Sequence, residues 1–365
     1  MRGVNRDFRS DNTHGVSPEI LDALQRATAR TMASYGRDEI TDRLRARCRE
    51  IFETEVAVFP VVTGTAGNGL ALAAMTPADG VILCHDDAHI ERDELGAPGL
   101  FTGGAKLITI AGAEGKLHEA ELWTAVAQAT ALDGANESGG LRHRSPELRS
   151  LSLTNATEAG TVYTADELRA LTSLGFNGVH LDGARFANAL VTLDCPPADV
   201  TWRAGVDILV LGGTKNGLIN AELVVVFRKE LARVLAPHWH RSGHRPAKMR
   251  FLSAQFEAYL THDLWLRNAR HANVMAARLA SGLETIHPVQ ANVVFTRFTK
   301  AQAEALFAQG FEFFDWPIFG DDVYRLVTGF ATSVEDVDAF RDAIASTIVS
   351  TIASTATASS PPSSR

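Results

Sequence analysis

Residues 205–218 read Gly-Val-Asp-Ile-Leu-Val-Leu-Gly-Gly-Thr-Lys-Asn-Gly-Leu, an apolar run of strand length that stops in small residues around one lysine, Lys215. An Ile/Leu/Val run bounded by glycine predicts a strand buried on both faces, as in the parallel sheets of α/β proteins. Lys215 then falls just past the C-terminal end of that strand, the edge at which open α/β sheets hold ligands. There it either ends a strand in water or, desolvated beside other cations, offers a reactive amine to a carbonyl. The order Gly-Gly-Thr-Lys-Asn lacks the GxxxxGK[ST] spacing, which excludes a nucleotide-type phosphate loop.

The flanking sequence repeats the strand-then-helix pattern. Residues 56–62 predict a strand entering the turn Thr63-Gly64-Thr65-Ala66-Gly67-Asn68-Gly69 and an apolar helix to about Met75. Free N–H groups and the positive dipole end at such a helix start suit a phosphate, although an ordinary connection has the same composition. Further strands are expected at 81–84, 107–110, 151–154, 178–182 and 222–227, and Thr164-Ala165-Asp166-Glu167 fits a capping box. This alternation from 56 to 227 predicts a mostly parallel sheet covered on both sides.

Ser17-Pro18 opens a first helix to about residue 29 and a second starts near Glu39. Tyr35, in the loop between them, is either a core anchor or a contact to a ligand or neighbouring subunit. Residues 85–97 are dense in ionisable groups, which points to a site at a strand end. His85 or His89 could there ligate a metal with the carboxylates. An aromatic stacking role ranks above it, because no third ligand has a metal spacing, and no metal is expected.

Residues 133–146 have loop composition, and 231–250, with His238, His240 and His244, read as an exposed or interface loop. Helical periodicity over 254–283, strands at 293–296 and 324–328 and a helix over 333–348 predict a smaller α+β C-terminal domain. The expected division is therefore 1–236 for the large domain, 237–349 for the small one and 350–365 for a disordered Ser/Thr/Ala/Pro tail.

The net charge of −8 over 365 residues, without a basic block, argues against nucleic acid or an anionic membrane as main partner. No stretch approaches the ~18 apolar residues of a membrane span and the polar start lacks a signal-peptide core, so a cytoplasmic location is expected. Cys48, Cys84 and Cys195 are too few and too scattered for a disulfide framework.

Together, three strand ends of one sheet carry an anion turn (Gly64, Thr65), an acid with an arginine (Asp182, Arg185) and a lysine (Lys215). Pyridoxal phosphate needs such a set: a phosphate cup, a carboxylate that keeps the pyridine nitrogen protonated, a stacking ring and an amine for its carbonyl. Asp182 by itself would read as a helix N-cap.

In this ordered series the chain resembles the low-specificity L-threonine aldolases, pyridoxal-phosphate enzymes of fold type I, the aspartate-aminotransferase-like class. The resemblance reaches to about residue 348. It rests on Arg9-Ser10-Asp11-Asn12, Tyr35-Gly36-Arg37-Asp38, residues 63–68, Ala88-His89 through Glu94-Leu95-Gly96-Ala97, residues 180–185, Gly213-Thr214-Lys215-Asn216-Gly217 and Lys248-Met249-Arg250. The lysine motif is most similar to that of a bacterial branch that includes phenylserine-cleaving enzymes.

The resemblance implies that Lys215 bonds the cofactor, Asp182 pairs with its ring nitrogen and His89 stacks on the ring. It places Gly64, Thr65 and Thr214 at the cofactor, and Ser10, Arg185 and Arg325 on the substrate carboxylate. Arg185 stands at the cofactor as well. Arg250, with Tyr35 and Lys248, would reach a neighbouring subunit's cofactor in a dimer of dimers. The implied reaction is retro-aldol cleavage of a β-hydroxy-α-amino acid, a small-molecule substrate, to glycine and an aldehyde, with His89 as base and Glu94 as its partner or substitute. Thr157 departs from the pattern by standing opposite a histidine that many members carry. The alternatives are a β-eliminating lyase of the same fold and a non-catalytic member.

Overall fold

A computed structural model describes residues 3–134 and 149–358. Its central sheet has seven strands: β1 (Ala57–Val61), β2 (Val81–His85), β3 (Lys106–Ile110), β4 (Arg149–Thr154), β5 (Gly178–Gly183), β6 (Ile208–Gly212) and β7 (Glu222–Val226). They lie in the order β1-β7-β6-β5-β4-β2-β3, parallel from β3 to β6; β7 alone runs the opposite way, antiparallel to both β6 and the edge strand β1. Every residue of β6 is buried, which follows from its apolar run and requires helices on both faces. Val210 and Val224 face the helix Gly64–Met75 with Leu70, whereas Leu209, Leu211 and Val225 share the opposite core with Leu44, Phe52 and Phe256. The expected α/β class, with a mostly parallel sheet, is what the chain forms.

The smaller unit is a three-stranded antiparallel sheet of β8 (Val293–Arg297), β9 (Phe314–Asp315) and β10 (Val323–Val327), in the order β8-β10-β9. Its core of Leu279, Val294, Phe298, Phe311 and Phe340 also takes up Phe8 from the N-terminal segment. Phe8 is tied in by backbone bonds, its N–H donating to Glu312 O and its carbonyl accepting from Val327 N, both at 2.8 Å. The segment that the sequence reading grouped with the large domain is thus anchored on the small one. That anchoring carries residues 10–12 to the C-terminal edge of the large sheet.

Three other expectations change. Residues 229–241 are a helix (Lys229–Arg241), not a loop, because Leu231, Leu235 and Trp239 recur every four residues and bury one stripe against the sheet. The division at 236/237 therefore falls inside an element of the large core, which continues through Phe256 and Trp265 to Ala269. Within 254–283 the helix breaks between Arg250–Tyr259 and Leu264–Ala280, where His262 and Asp263 adopt left-handed φ of 52° and 54°.

The last helix runs Val334–Ala358, so the first part of the expected disordered tail is helical. Adding residues to a formed helix costs far less than starting one. Residues 359–365 and 135–148, the latter with residues 135–146 of the expected surface loop, lie outside the described residues.

Candidate active site

The C-terminal ends of β5 and β6 meet the start of the helix Gly64–Met75 around a cavity of about 260 Å³, lined by Asn68, His89, Asp182, Lys215 and Glu222 with the turn Thr63–Thr65. A larger hollow of about 540 Å³ between the N-terminal helices is edged by arginines and carboxylates such as Arg43 and Glu257 and contains none of these groups. Glycine makes the close approach at the sheet edge: a Cβ on Gly212 would run into the Ala184 carbonyl. Gly212 therefore lets the turn carrying Lys215 settle beside the end of β5.

Thr63 caps the helix, its hydroxyl accepting from Ala66 N at 3.2 Å. No backbone hydrogen bond among the described residues takes up the N–H groups of Gly64 and Thr65. Gly64 has open space around it. An anion in the cavity would meet these donors and the positive helix end together.

Asp182 is buried, with one oxygen accepting from Ala184 N at 2.9 Å and the other from Asn68 Nδ2 at 2.8 Å. Burial pushes its carboxyl up. His89, His180, the Ala184 N–H and Lys215 together outweigh that and hold it below the ordinary carboxylate range. A buried, ionised carboxylate at the cavity wall fits a protonated ring nitrogen. Asn68 also donates to Glu94 Oε1 at 2.8 Å, and the same oxygen meets His89 Nδ1 at 2.9 Å. The Glu94 bond is the main cause that raises the pKa of His89, against desolvation. Buried Glu94 Oε2 and Asn68 Oδ1 have no partner, so this polar chain is incompletely satisfied in the free chain.

A second group of charges stands beside the first. Arg185 Nε and Nη2 fork onto Asp11 Oδ2 and Oδ1 at 2.8 and 3.0 Å, and Asn292 Nδ2 donates to Asp11 Oδ2 at 2.9 Å. Burial would raise Asp11, yet the Arg185 and Lys215 charges and the bonds from Arg185 and Asn292 bring it down to about 2. Arg325 differs. It lies over Trp316, 5.0 Å from guanidinium carbon to ring centre, and among the described residues it has no hydrogen bond or ion pair. Burial, and then the charge of Arg185, lower its pKa. Ser10 Oγ accepts from Asn12 N at 3.1 Å, which leaves its own proton free to donate.

The structure therefore brings Gly64, Thr65, His89, Glu94, Asp182, Thr214 and Lys215 together, with Arg185 linked to them through Asp11. Arg250 does not line the cavity of its own chain; its Nε donates to Ala27 O at 3.2 Å. Tyr35 is exposed beside Arg245. Thr157 is buried with its hydroxyl against Thr161 and the Glu114 carbonyl. Sequence reasoning missed Asn68 as a bridge, Asp11 as the partner of Arg185, and Glu222. His85 is occupied structurally, its ring bonded to Gly112 O and Asp87 N.

Comparison with known proteins agrees with this geometry. The family model of the beta-eliminating lyases matches residues 7–305. A low-specificity L-threonine aldolase of Pseudomonas aeruginosa is 38% identical over 347 residues, 92% of this chain and 96% of its own length. One from a Pseudomonas sp. is also 38% identical, over 86% of this chain and 90% of its own. Among solved structures, Leishmania major threonine aldolase superposes with a TM-score of 0.83 at 25% identity, covering 94% of this chain and 99% of that one. An alanine–glyoxylate aminotransferase from Nostoc sp., 17% identical with a TM-score of 0.66 over 95% and 96% of the two chains, shares the fold.

Proposed function

Because the chain belongs to the beta-eliminating lyase family and, within it, to the low-specificity L-threonine aldolases, we propose that it cleaves L-threonine, L-allo-threonine and related β-hydroxy-α-amino acids to glycine and an aldehyde with pyridoxal phosphate. The observation that carries this reading is the shared cavity of Lys215, ionised Asp182 and His89 above the open N–H groups of Gly64 and Thr65. Bound there, the cofactor supplies a carbonyl for amines and a protonated ring that takes up the electron pair of the breaking Cα–Cβ bond.

Each residue then has a physical task. Lys215 is the amine that would hold the cofactor through its carbonyl. Gly64, Thr65 and Thr214 bind the phosphate, and Asp182 keeps a proton on the ring nitrogen. Arg325, an unpaired cation, binds the substrate carboxylate beside Ser10 and Arg185, and so fixes which bond at Cα stands ready to break. His89, oriented by Glu94, takes the proton from the β-hydroxyl as the aldehyde leaves.

Arg250 stands outside its own cavity, and the reading gives it to the cofactor of a neighbouring copy in a homo-oligomer; a native mass of one chain refutes that part. No helix among the described residues is long and apolar enough to cross a membrane, in keeping with a small-molecule enzyme. Incubation of purified protein with threonine, allo-threonine and phenylserine tests the function. Glycine with acetaldehyde or benzaldehyde is expected. A 2-oxo acid and ammonia would assign β-elimination instead.

A further inference from the structure

Glu222 is a buried acid, 8% exposed, at the head of the otherwise apolar strand β7. Register sets its place. It is paired with Val61 at the end of β1 and with Gly212 at the end of β6. It thus stands between the strand that leads to the anion turn and the strand that leads to the lysine turn. One carboxyl oxygen accepts from Gly213 N at 2.8 Å, the residue that opens the turn Thr214–Asn216. The side chain lines the same cavity as Lys215.

The roles assigned above leave Glu222 without a task. A structural acid on a buried strand is usually matched by a cation or by enough donors to keep it ionised. Here burial dominates, and the Thr214 hydroxyl, the Gly213 N–H and the charge of Lys215 offset only part of it. The carboxyl is pushed up to about 7, where it exchanges its proton at neutral pH. The titratable groups that face it are Lys215 from the lysine turn, Asp182 from β5 and Tyr259 from the helix Arg250–Tyr259. Of these Lys215 is the one cation.

We propose that Glu222 is a positioning residue for Lys215, its carboxyl holding the turn that carries the amine and its charge setting how tightly the lysine nitrogen keeps a proton. An ionised carboxylate favours the protonated nitrogen, and a neutral group in its place does not.

The proposal rests on the reading that Lys215 holds pyridoxal phosphate, and one spectroscopic titration of the holoenzyme separates the two. The visible band of the bound cofactor reports the proton on the lysine nitrogen. In Glu222→Gln, whose amide oxygen still accepts from Gly213, the midpoint of that band should fall by about one pH unit or more with the cofactor retained. Glu222→Asp keeps the charge and should stay near the wild-type midpoint. Superimposable Gln and wild-type curves overturn the proposal, as does an Asp variant that shifts as far as Gln. If Gln does not fold, the Asp variant decides alone: a midpoint near that of the wild type supports the proposal, and a fall of about one pH unit or more overturns it. A wild-type protein without any lysine-linked band refutes the cofactor reading itself.

Discussion

Replacement of Arg325 by methionine should weaken catalysis and strengthen the fold, and the two signs follow from one observation. Among the described residues the guanidinium has no hydrogen-bonded acid; its neighbour Arg185 repels it, and Asp11, Glu158 and Asp93 offset burial and that repulsion only in part. On the functional side, a carboxylate held by two charge-assisted hydrogen bonds gains about 1.5–3 kcal/mol from each. In the free enzyme the unpaired cation already costs about 1–3 kcal/mol, so the variant recovers part of that sum. A net loss near 3 kcal/mol lowers kcat/KM for threonine by about 100-fold.

On the stability side, methionine keeps the stem volume and removes the buried charge. It gives up the contact over Trp316, worth about 0.5–1 kcal/mol at a partly exposed ring. The balance is a gain of about 1 kcal/mol, read as a higher denaturation midpoint for the holoenzyme, while the cofactor band is retained. Steady-state kinetics and urea unfolding of the same preparation check both signs. Near-wild-type kcat/KM would remove Arg325 from the substrate. A midpoint lowered by the equivalent of 1.5 kcal/mol or more would show that the guanidinium has a structural partner after all.

Three further substitutions probe the other groups. Lys215→Ala should bind pyridoxal phosphate without a covalent bond, so that the visible band and nearly all turnover disappear; a stable band surviving gel filtration would contradict the assignment. Asp182→Asn should keep the fold, since it preserves the side-chain shape and can keep a hydrogen bond at each end. Ala184 N can still donate to its amide oxygen, while Asn68, whose Oδ1 has no partner, can turn to accept from its amide nitrogen. The substitution should cut kcat by on the order of 100-fold through loss of charge at the ring nitrogen, checked by kinetics on cofactor-saturated protein. In Glu94→Gln the main cause that raises the pKa of His89 is gone, so the histidine becomes a free base at lower pH. The rise of kcat/KM with pH should move toward acid and the plateau should fall, and a shift toward alkali would refute His89 as the base.

The sheet and its ligand edge were legible because each strand is short, apolar and closed by small residues: 205–218 gave β6 and its lysine turn, and 56–69 gave β1 and the capped helix. The capping box at Thr164 formed as written. Local signals of this kind survive because backbone geometry decides them within a few residues. The helix Lys229–Arg241 was obscured because its basic and histidine residues occupy the solvent side, so composition spoke for a loop while Leu231, Leu235 and Trp239 held the core side.

The polar links were not legible, since each joins chain positions that no short motif contains. Asn68 reaches Glu94 and Asp182 across sequence separations of 26 and 114, and Asp11 meets Arg185 across 174 and Asn292 across 281. Asp11 itself sits in the short turn Asp11–Thr13. What no local reading supplies is the docking of Phe8 on β10, which swings that turn over Arg185.

This docking explains why the two arginines proposed to hold the substrate carboxylate behave so differently. Asp11 neutralises Arg185 and, with Asn292, fixes the plane of its fork, so Arg185 is oriented before substrate arrives. Arg325 has no ion pair among the described residues, and Asp11, Glu158 and Asp93 act on it only from a distance. On the proposed reading, a substrate carboxylate would meet one guanidinium already set in place and one still without an ion pair. Because the first is fixed jointly by the N-terminal segment, β5's end and the small domain, a shift of the small domain would disturb orientation before it abolished binding. Thr157 fits the same logic. Its hydroxyl is consumed by Thr161 and Glu114, so it offers the substrate nothing in place of an imidazole. On the proposed reading, contact with the β-hydroxyl is then left to His89, the one histidine on the cavity wall among the described residues, held at its angle by Glu94 and Asn68.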